Sequence, residues 1–331
     1  MPQPFVTDVS PSRAIEGGRV TLVGEFGQAD SVVDLRIAGR PARTVFASPK
    51  RLSFIVPSGI AESDVATGSI SINDVPVEHA GIELGVTIAT GLHQVDNPLI
   101  DRSGNVYLTY SGTRGQQVPV SIFRVAANGV RETYSSAIVN PTSMAMDADG
   151  RLYVSSRFEG AVYRLADDGS AEPFATDLGI ACGLAFAPDG SLFVGDRSGT
   201  IFSVDRSGQA TVFASLPSSV AAFHLALGPD ALYVAAPTLS PYDVIYQIGF
   251  DGAVSVFSRA FGRPQGIAIG PDHSLFVVEA LAGASGLYRV KPDAEPEPVV
   301  AGSGLIGLAF DSHGAMVVCS SDTAYRFQSL S

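Results

Sequence analysis

Tryptophan is absent from this chain, cysteine occurs twice, and all but two of its 21 Lys+Arg residues are arginine, the lysines being Lys50 and Lys291. Two cysteines cannot make a disulfide framework, and they leave the redox compartment open. With so few lysines, Schiff-base or P-loop chemistry has almost nothing to work with. No apolar run approaches the roughly 20 residues that span a bilayer, so no membrane span is expected. The motifs G-x-x-x-x-G-K-[ST], H-E-x-x-H, G-x-S-x-G and C-x-x-C are all missing. Positive charge is short as well: 33 Asp+Glu against 21 Lys+Arg give a net charge of −12. Phosphate backbones need a basic surface, so a nucleic-acid partner is not expected. The opening MPQPFVTDVSP has neither a basic n-region nor an apolar h-region. No signal peptide is expected in the sequence as written, which reads as cytoplasmic, or as extracytoplasmic if a leader was trimmed.

What is present is apolar and turn-rich: 46% hydrophobic residues, 35 Gly and 21 Pro in 331 residues. That is length for one large or two smaller domains with ample core. No stretch carries a convincing 3.6-residue period. Instead a phrase of apolar strand, tight Asp/Gly turn and apolar strand recurs, as in SMAMDADGRLYVSS (143–156), GLAFAPDGSLFVGD (183–196), GIAIGPDHSLFVVE (266–279) and GLAFDSHGAMVVCS (307–320). Six such turns begin at 101, 147, 187, 228, 270 and 311, spaced by 40 to 46 residues. A second series of turns lies between them, at 126–130, 166–170, 205–209, 249–253 and 291–295. Each period is therefore four short strands, the signature of a propeller blade and not of a helical solenoid.

The phrase P-x-G-I-A-I-x-P-D-x-x-L-F-V at Pro264 to Val277 resembles NHL repeats and the wider group that includes the senescence-marker/gluconolactonase proteins. The resemblance covers roughly residues 90 to 331 and implies a six-bladed β-propeller. The sixth blade is one strand short at its C-terminal end, and GVTIATG (85–91) supplies a candidate for the missing outer strand. Residues 1–84 do not share the repeat. Alternating strands between Gly/Pro turns indicate a small β-sandwich, and the run from Pro11 through Gly17–Gly18 to SFIVPSG resembles an IPT/TIG, immunoglobulin-like domain. Seven basic residues face ten acidic ones over this segment, so it reads as an accessory module. The expected fold is thus all-β, with an Ig-like sandwich over 1–84 followed by a propeller over 85–331.

In a propeller the inner strands line a central channel, and loops at one face form its mouth. Aligning the repeats places Asp96, Thr142, Cys182, Phe223, Gln265 and Ile306 in one column, and Asn97, Ser143, Gly183, His224, Gly266 and Gly307 in the next. Asn140 and Arg263 lie just upstream, and the loops after the second strands add Arg157, Asp196, Arg197, Tyr242, Asp243 and Glu279. A ring of acids, amides, Arg and Tyr suits a small polar or carbohydrate-like ligand, the leading reading. The alternative is a hydrolase or lyase at the same mouth, with His224, Glu279 and Asp96 as acid–base candidates. Resemblance to gluconolactonases implies divalent-metal ligands in the first column. There Asp96 matches the blade-one acid and Gln265 offers an amide, giving a calcium-type candidate site. Thr142, Cys182, Phe223 and Ile306 depart from that pattern. Streptogramin-lyase propellers place His and Glu together on this type of scaffold, which implies a possible His224–Glu279 pairing.

Overall fold

The structure, a computed structural model, describes residues 4–27, 33–60, 68–281, 283–292 and 294–328. The remaining positions of the two segments, 1–84 and 85–331, lie outside the described residues. No helix occurs among the described residues, and none is therefore long and apolar enough to cross a membrane.

From residue 86 onward the chain forms antiparallel sheets that repeat one plan. The strands Ala181–Phe186, Leu192–Asp196, Thr200–Val204 and Ala210–Ser215 illustrate it: each pairs with the next in sequence. Four sheets are built in this way, and a fifth is also four-stranded. A further sheet starts with Pro264–Ile269, Leu275–Glu279, Gly286–Val290 and Glu297–Ala301 and gains two short strands from the N-terminal segment. In the last sheet the outer strand is Val86–Thr90, paired antiparallel with Thr323–Phe327.

The repeated turns have a local cause. Asp101, Asp147, Asp205 and Asp311 each accept two backbone N–H groups through Oδ1, from the residues two and four positions on. These Asx-type turns close with a glycine in the left-handed region, φ 80° at Gly104 and 84° at Gly150, which a side chain disfavours. In the turn after Ile269, His273 takes that conformation instead, at φ 62°.

The first strands of successive sheets touch one another in chain order: Pro141–Met146, Ala181–Phe186, His224–Leu227, Pro264–Ile269, Leu305–Phe310 and then Leu99–Ile100. This chain of contacts arranges the sheets as a propeller around an axis. Near the axis backbones approach closely: a Cβ on Gly266 would sit 2.3 Å from Asn97 Oδ1, and one on Gly307 2.7 Å from Asn97 Cα. Between sheets, apolar side chains from facing strands interlock. One such layer includes Phe193, Ile201, Phe223, Leu225, Leu232 and Val234.

The N-terminal segment forms a continuous seven-stranded sheet, in the order Phe5–Ser10, Arg19–Glu25, Arg51–Ile55, Arg40–Ser48, Leu35–Ile37, Ser69–Ile72, Val75–Gly81. Its first and last strands come into contact, so the sheet curls around a core of Val20, Leu22, Leu35, Leu52 and Phe54. The long strand Arg40–Ser48, bulged between Thr44 and Phe46, pairs on both sides and joins the two halves. The segment is stitched to the propeller: Arg13–Ala14 runs parallel to Glu83–Leu84 and meets Ala301, and Ile15 is buried with Phe276, Leu287, Leu305 and Phe327.

Candidate functional site

The loops before the inner strands and after the second strands converge on one rim. They enclose a cavity of about 280 Å³, lined among others by Thr142, Arg157, Cys182, Arg197, Gln265 and Ile306. Four of the six aligned column residues therefore reach the cavity. Backbone register explains why these four do. The inner strands carry β-bulges between Pro141 and Met144, Ala181 and Leu184, Pro264 and Ile267, and Leu305 and Gly307. A bulge inserts one residue and re-aims its neighbour, here toward the axis. The inner strand of the fourth sheet pairs regularly from its first residue, His224↔Ala235. That of the first sheet has only Leu99–Ile100. In these two sheets Val95 and Ala222 line the cavity, not Asp96 and Phe223.

Phe223, expected to face a ligand, is fully buried between sheets, in space left by Gly195. Asp96 and His224 instead meet each other. His224 Nδ1 lies 2.6 Å from Asp96 Oδ1, with both side chains buried. The two residues are 128 positions apart in the chain, and the inner strands of the first and fourth sheets are not neighbours in the chain of contacts, so this bond links separate sheets. A carboxylate only accepts, so the imidazole donates to it from Nδ1. Nε2 is buried and has no hydrogen-bond partner. Gln94, which sequence reasoning missed, holds Asp96 in place: its Nε2 donates to the Asp96 carbonyl at 2.9 Å, while its Oε1 accepts from Thr109 N–H.

The other acidic and amide candidates spend their side chains on backbone. Glu279 accepts from the N–H groups of Gly262, Arg263 and Leu281 at 2.6 to 2.9 Å, so it is neither paired with His224 nor free as an acid or base. Asp196 accepts from Ile180 N–H at 2.7 Å and from the Ser198 hydroxyl. Ser156 and Ser320 end the same strands of their sheets and bond loop backbone in the same way. The Ser/Asp/Glu recurrence at this column was a legible signal of loop capping. Asn97 bridges two other sheets, donating to Ile267 O and accepting from Leu308 N–H. Asn140, at φ 48°, ties down the loop between the second and third strands of the first sheet through Ser111 O, Thr113 O and Gly115 N–H. These four are scaffold groups rather than ligand-facing ones. Arg263 and Tyr242 are exposed and do not line the cavity. Asp243 is buried, capping Thr238.

The electrostatics of the lining are one-sided. Burial lowers the pKa of the half-buried Arg157 guanidinium; the Cys182 thiol opposes this, and Arg197 and Arg114 lower it further. It nevertheless stays charged, as arginine does in proteins. Burial pushes the Cys182 thiol from 9.0 up to about 11, against the opposing pull of the Phe223 backbone and Arg157. Burial also raises Cys319. Neither is a thiolate nucleophile at neutral pH. Both thiols are therefore expected to resist Ellman's reagent at pH 8 in the folded protein and to react once it is unfolded. The linkage has a defined sign: a folded pKa above the unfolded one stabilises below about pH 9, and that contribution is lost as pH rises from 9 toward 11. Urea midpoints across that range should fall; a flat profile, or fast native labelling, would contradict the burial of these thiols.

A calcium-type ion takes about six to eight convergent oxygens. The set here is one carboxylate already turned to His224, the Gln265 amide and Thr142, whose hydroxyl donates to Asn140 O. Among the described residues no three His, Cys, Asp or Glu side chains converge to hold a metal. The Asp96/Gln265 donor set does not fit such an ion.

No protein-family model matches the chain, and no curated protein does. Solved structures do. An auxiliary nutrient binding protein from Bacteroides ovatus is 14% identical, covers 98% of both chains and gives a TM-score of 0.55. A gluconolactonase from Xanthomonas campestris is 15% identical over 73% of this chain and 88% of its own, at 0.60. A catalytically inactive variant of virginiamycin B lyase from Staphylococcus aureus, bound to quinupristin, is 17% identical over 90% of this chain and 99% of its own, at 0.52. At these identities the likeness establishes the fold alone, an all-β propeller.

Proposed function

We propose that this protein is a six-bladed propeller that binds a small polar or carbohydrate-like ligand at the channel mouth. In this reading the sheet begun by Pro264–Ile269 counts as the sixth blade beside the five four-stranded ones, and Val86–Thr90 closes the ring. Residues 1–84 act as an IPT/TIG-like accessory domain. One observation carries the binding reading: the cavity is preformed and lined by hydrogen-bonding groups, while Glu279 and Asp196 are held by backbone donors. A site with fixed binding groups and no opposed acid–base pair favours retention of a ligand over its conversion. The nutrient-binding neighbour supports the same reading.

The test is a thermal-shift and calorimetric screen of sugars and sugar lactones, with product analysis alongside. A true ligand at 100 times its Kd stabilises the folded state by about 2.7 kcal/mol. Gln265→Ala should remove the shift without changing the melting temperature of the free protein, and the ligand should be recovered unchanged. Absence of any shift across the panel counts against binding. A second reading, hydrolase or lyase, is favoured by the bare Nε2 of an imidazole oriented by Asp96. Turnover of a lactone that His224→Asn abolishes would establish it instead.

A further inference from the structure

We infer that the ligand of this mouth is an anion, a small molecule carrying a carboxylate or phosphate group that docks on Arg157. This rests on the binding reading above and names the chemistry of its ligand. The cavity lining contains two guanidinium groups and no carboxylate, in a chain whose acids outnumber its bases by 33 to 21. Chance placement in so acidic a protein favours the opposite. The nearby carboxylates are turned elsewhere: Asp96 to His224, Asp196 and Glu279 to loop backbone. None neutralises the arginines.

The two arginines have different roles. Arg197 is braced, its guanidinium donating to the carbonyls of Ser219 and Val220 at 3.2 and 2.6 Å. Arg157 is half-buried, and its guanidinium has no hydrogen-bond or ion-pair partner among the described residues. A partly desolvated, unpaired cation costs stability, and an oxyanion offering two oxygens to its fork removes that cost. Thr142, on the sheet that carries Arg157, and Gln265, on the sheet begun by Pro264–Ile269, are left for the neutral part of the ligand. The volume, about 280 Å³, fits a molecule near monosaccharide size, at the small end of ligand cavities.

Three probes of one body separate the possibilities: D-glucuronate, D-glucose 6-phosphate and D-glucose, each titrated calorimetrically into the wild type, Arg157→Gln and Arg157→Lys. At least one acid should bind about tenfold or more tighter than glucose, with affinity falling as salt rises. Arg157→Gln should erase that advantage, and Arg157→Lys, which keeps the charge but loses the fork, should retain part of it. Which acid is preferred distinguishes carboxylate from phosphate. Glucose binding as tightly as both acids, or Arg157→Gln leaving the preference intact in a protein of unchanged melting temperature, overturns the anion assignment while the binding reading stands. Silence from all three probes overturns both.

Discussion

Replacing His224 with alanine is expected to cost about 3–5 kcal/mol of folding stability, because it leaves the buried Asp96 carboxylate without its hydrogen-bond donor. Its Nδ1 is the only side-chain partner of the Asp96 carboxylate among the described residues, and Asp96 is 1% exposed. The pair joins two separate sheets, so its loss removes a long-range tie as well as a hydrogen bond. Asp96→Asn keeps the shape and an acceptor oxygen and should cost less. A double-mutant cycle between the two positions should return a coupling of about 1 kcal/mol or more, within the ~0.5–3 kcal/mol seen for residues in contact. Urea unfolding measures this. A coupling near zero would mean that the contact does not hold the channel together, and that the imidazole is free for other work.

Glu279→Ala should be nearly as damaging, with a loss of about 3 kcal/mol or more, because three buried or half-buried amides lose their acceptor together. Gly262, Arg263 and Leu281 belong to two different loops at the mouth, so the carboxylate fastens the loop before one inner strand to the loop after the next strand. Hydrogen exchange at these three amides should accelerate in the alanine variant, while amides in the far turns, such as Gly104 and Gly150, keep their protection. Glu279→Gln retains one oxygen acceptor and should fall between. If Glu279→Ala leaves stability and exchange unchanged but abolishes turnover of some substrate, the capping role is wrong and a catalytic one takes its place.

Much of the architecture was legible because its causes are local. An Asp that bonds two amides a few residues on, followed by a glycine with positive φ, writes a turn into four or five adjacent positions. Apolar strands on either side of such a turn pair as a matter of course, and the turn's recurrence announces the repeated sheets. The tight inner-strand glycines were visible as a column, although the reason for them, the approach of Asn97 to Gly266 and Gly307, was not. The site was less legible. Arg157, Thr142, Cys182 and Gln265 do share one cavity, whereas Asn97, Asn140, Asp196 and Glu279 looked like ligand groups and serve the scaffold.

Which residue of a column faces the cavity was left to the tertiary structure, and the reason is the two-residue period of a strand. A shift of one position turns a side chain from one face to the other. Bulges supply that shift in four inner strands; the fourth sheet pairs without one, and the first has too short a strand to carry one. Hence Phe223 goes to the core. Asp96 and His224, 128 residues apart, find each other through a tertiary contact that no local pattern encodes. The amino-acid order by itself determined the strands, their turns and their repetition. Closure of the ring decided which charges are spent on one another and which, at Arg157, are left facing the cavity.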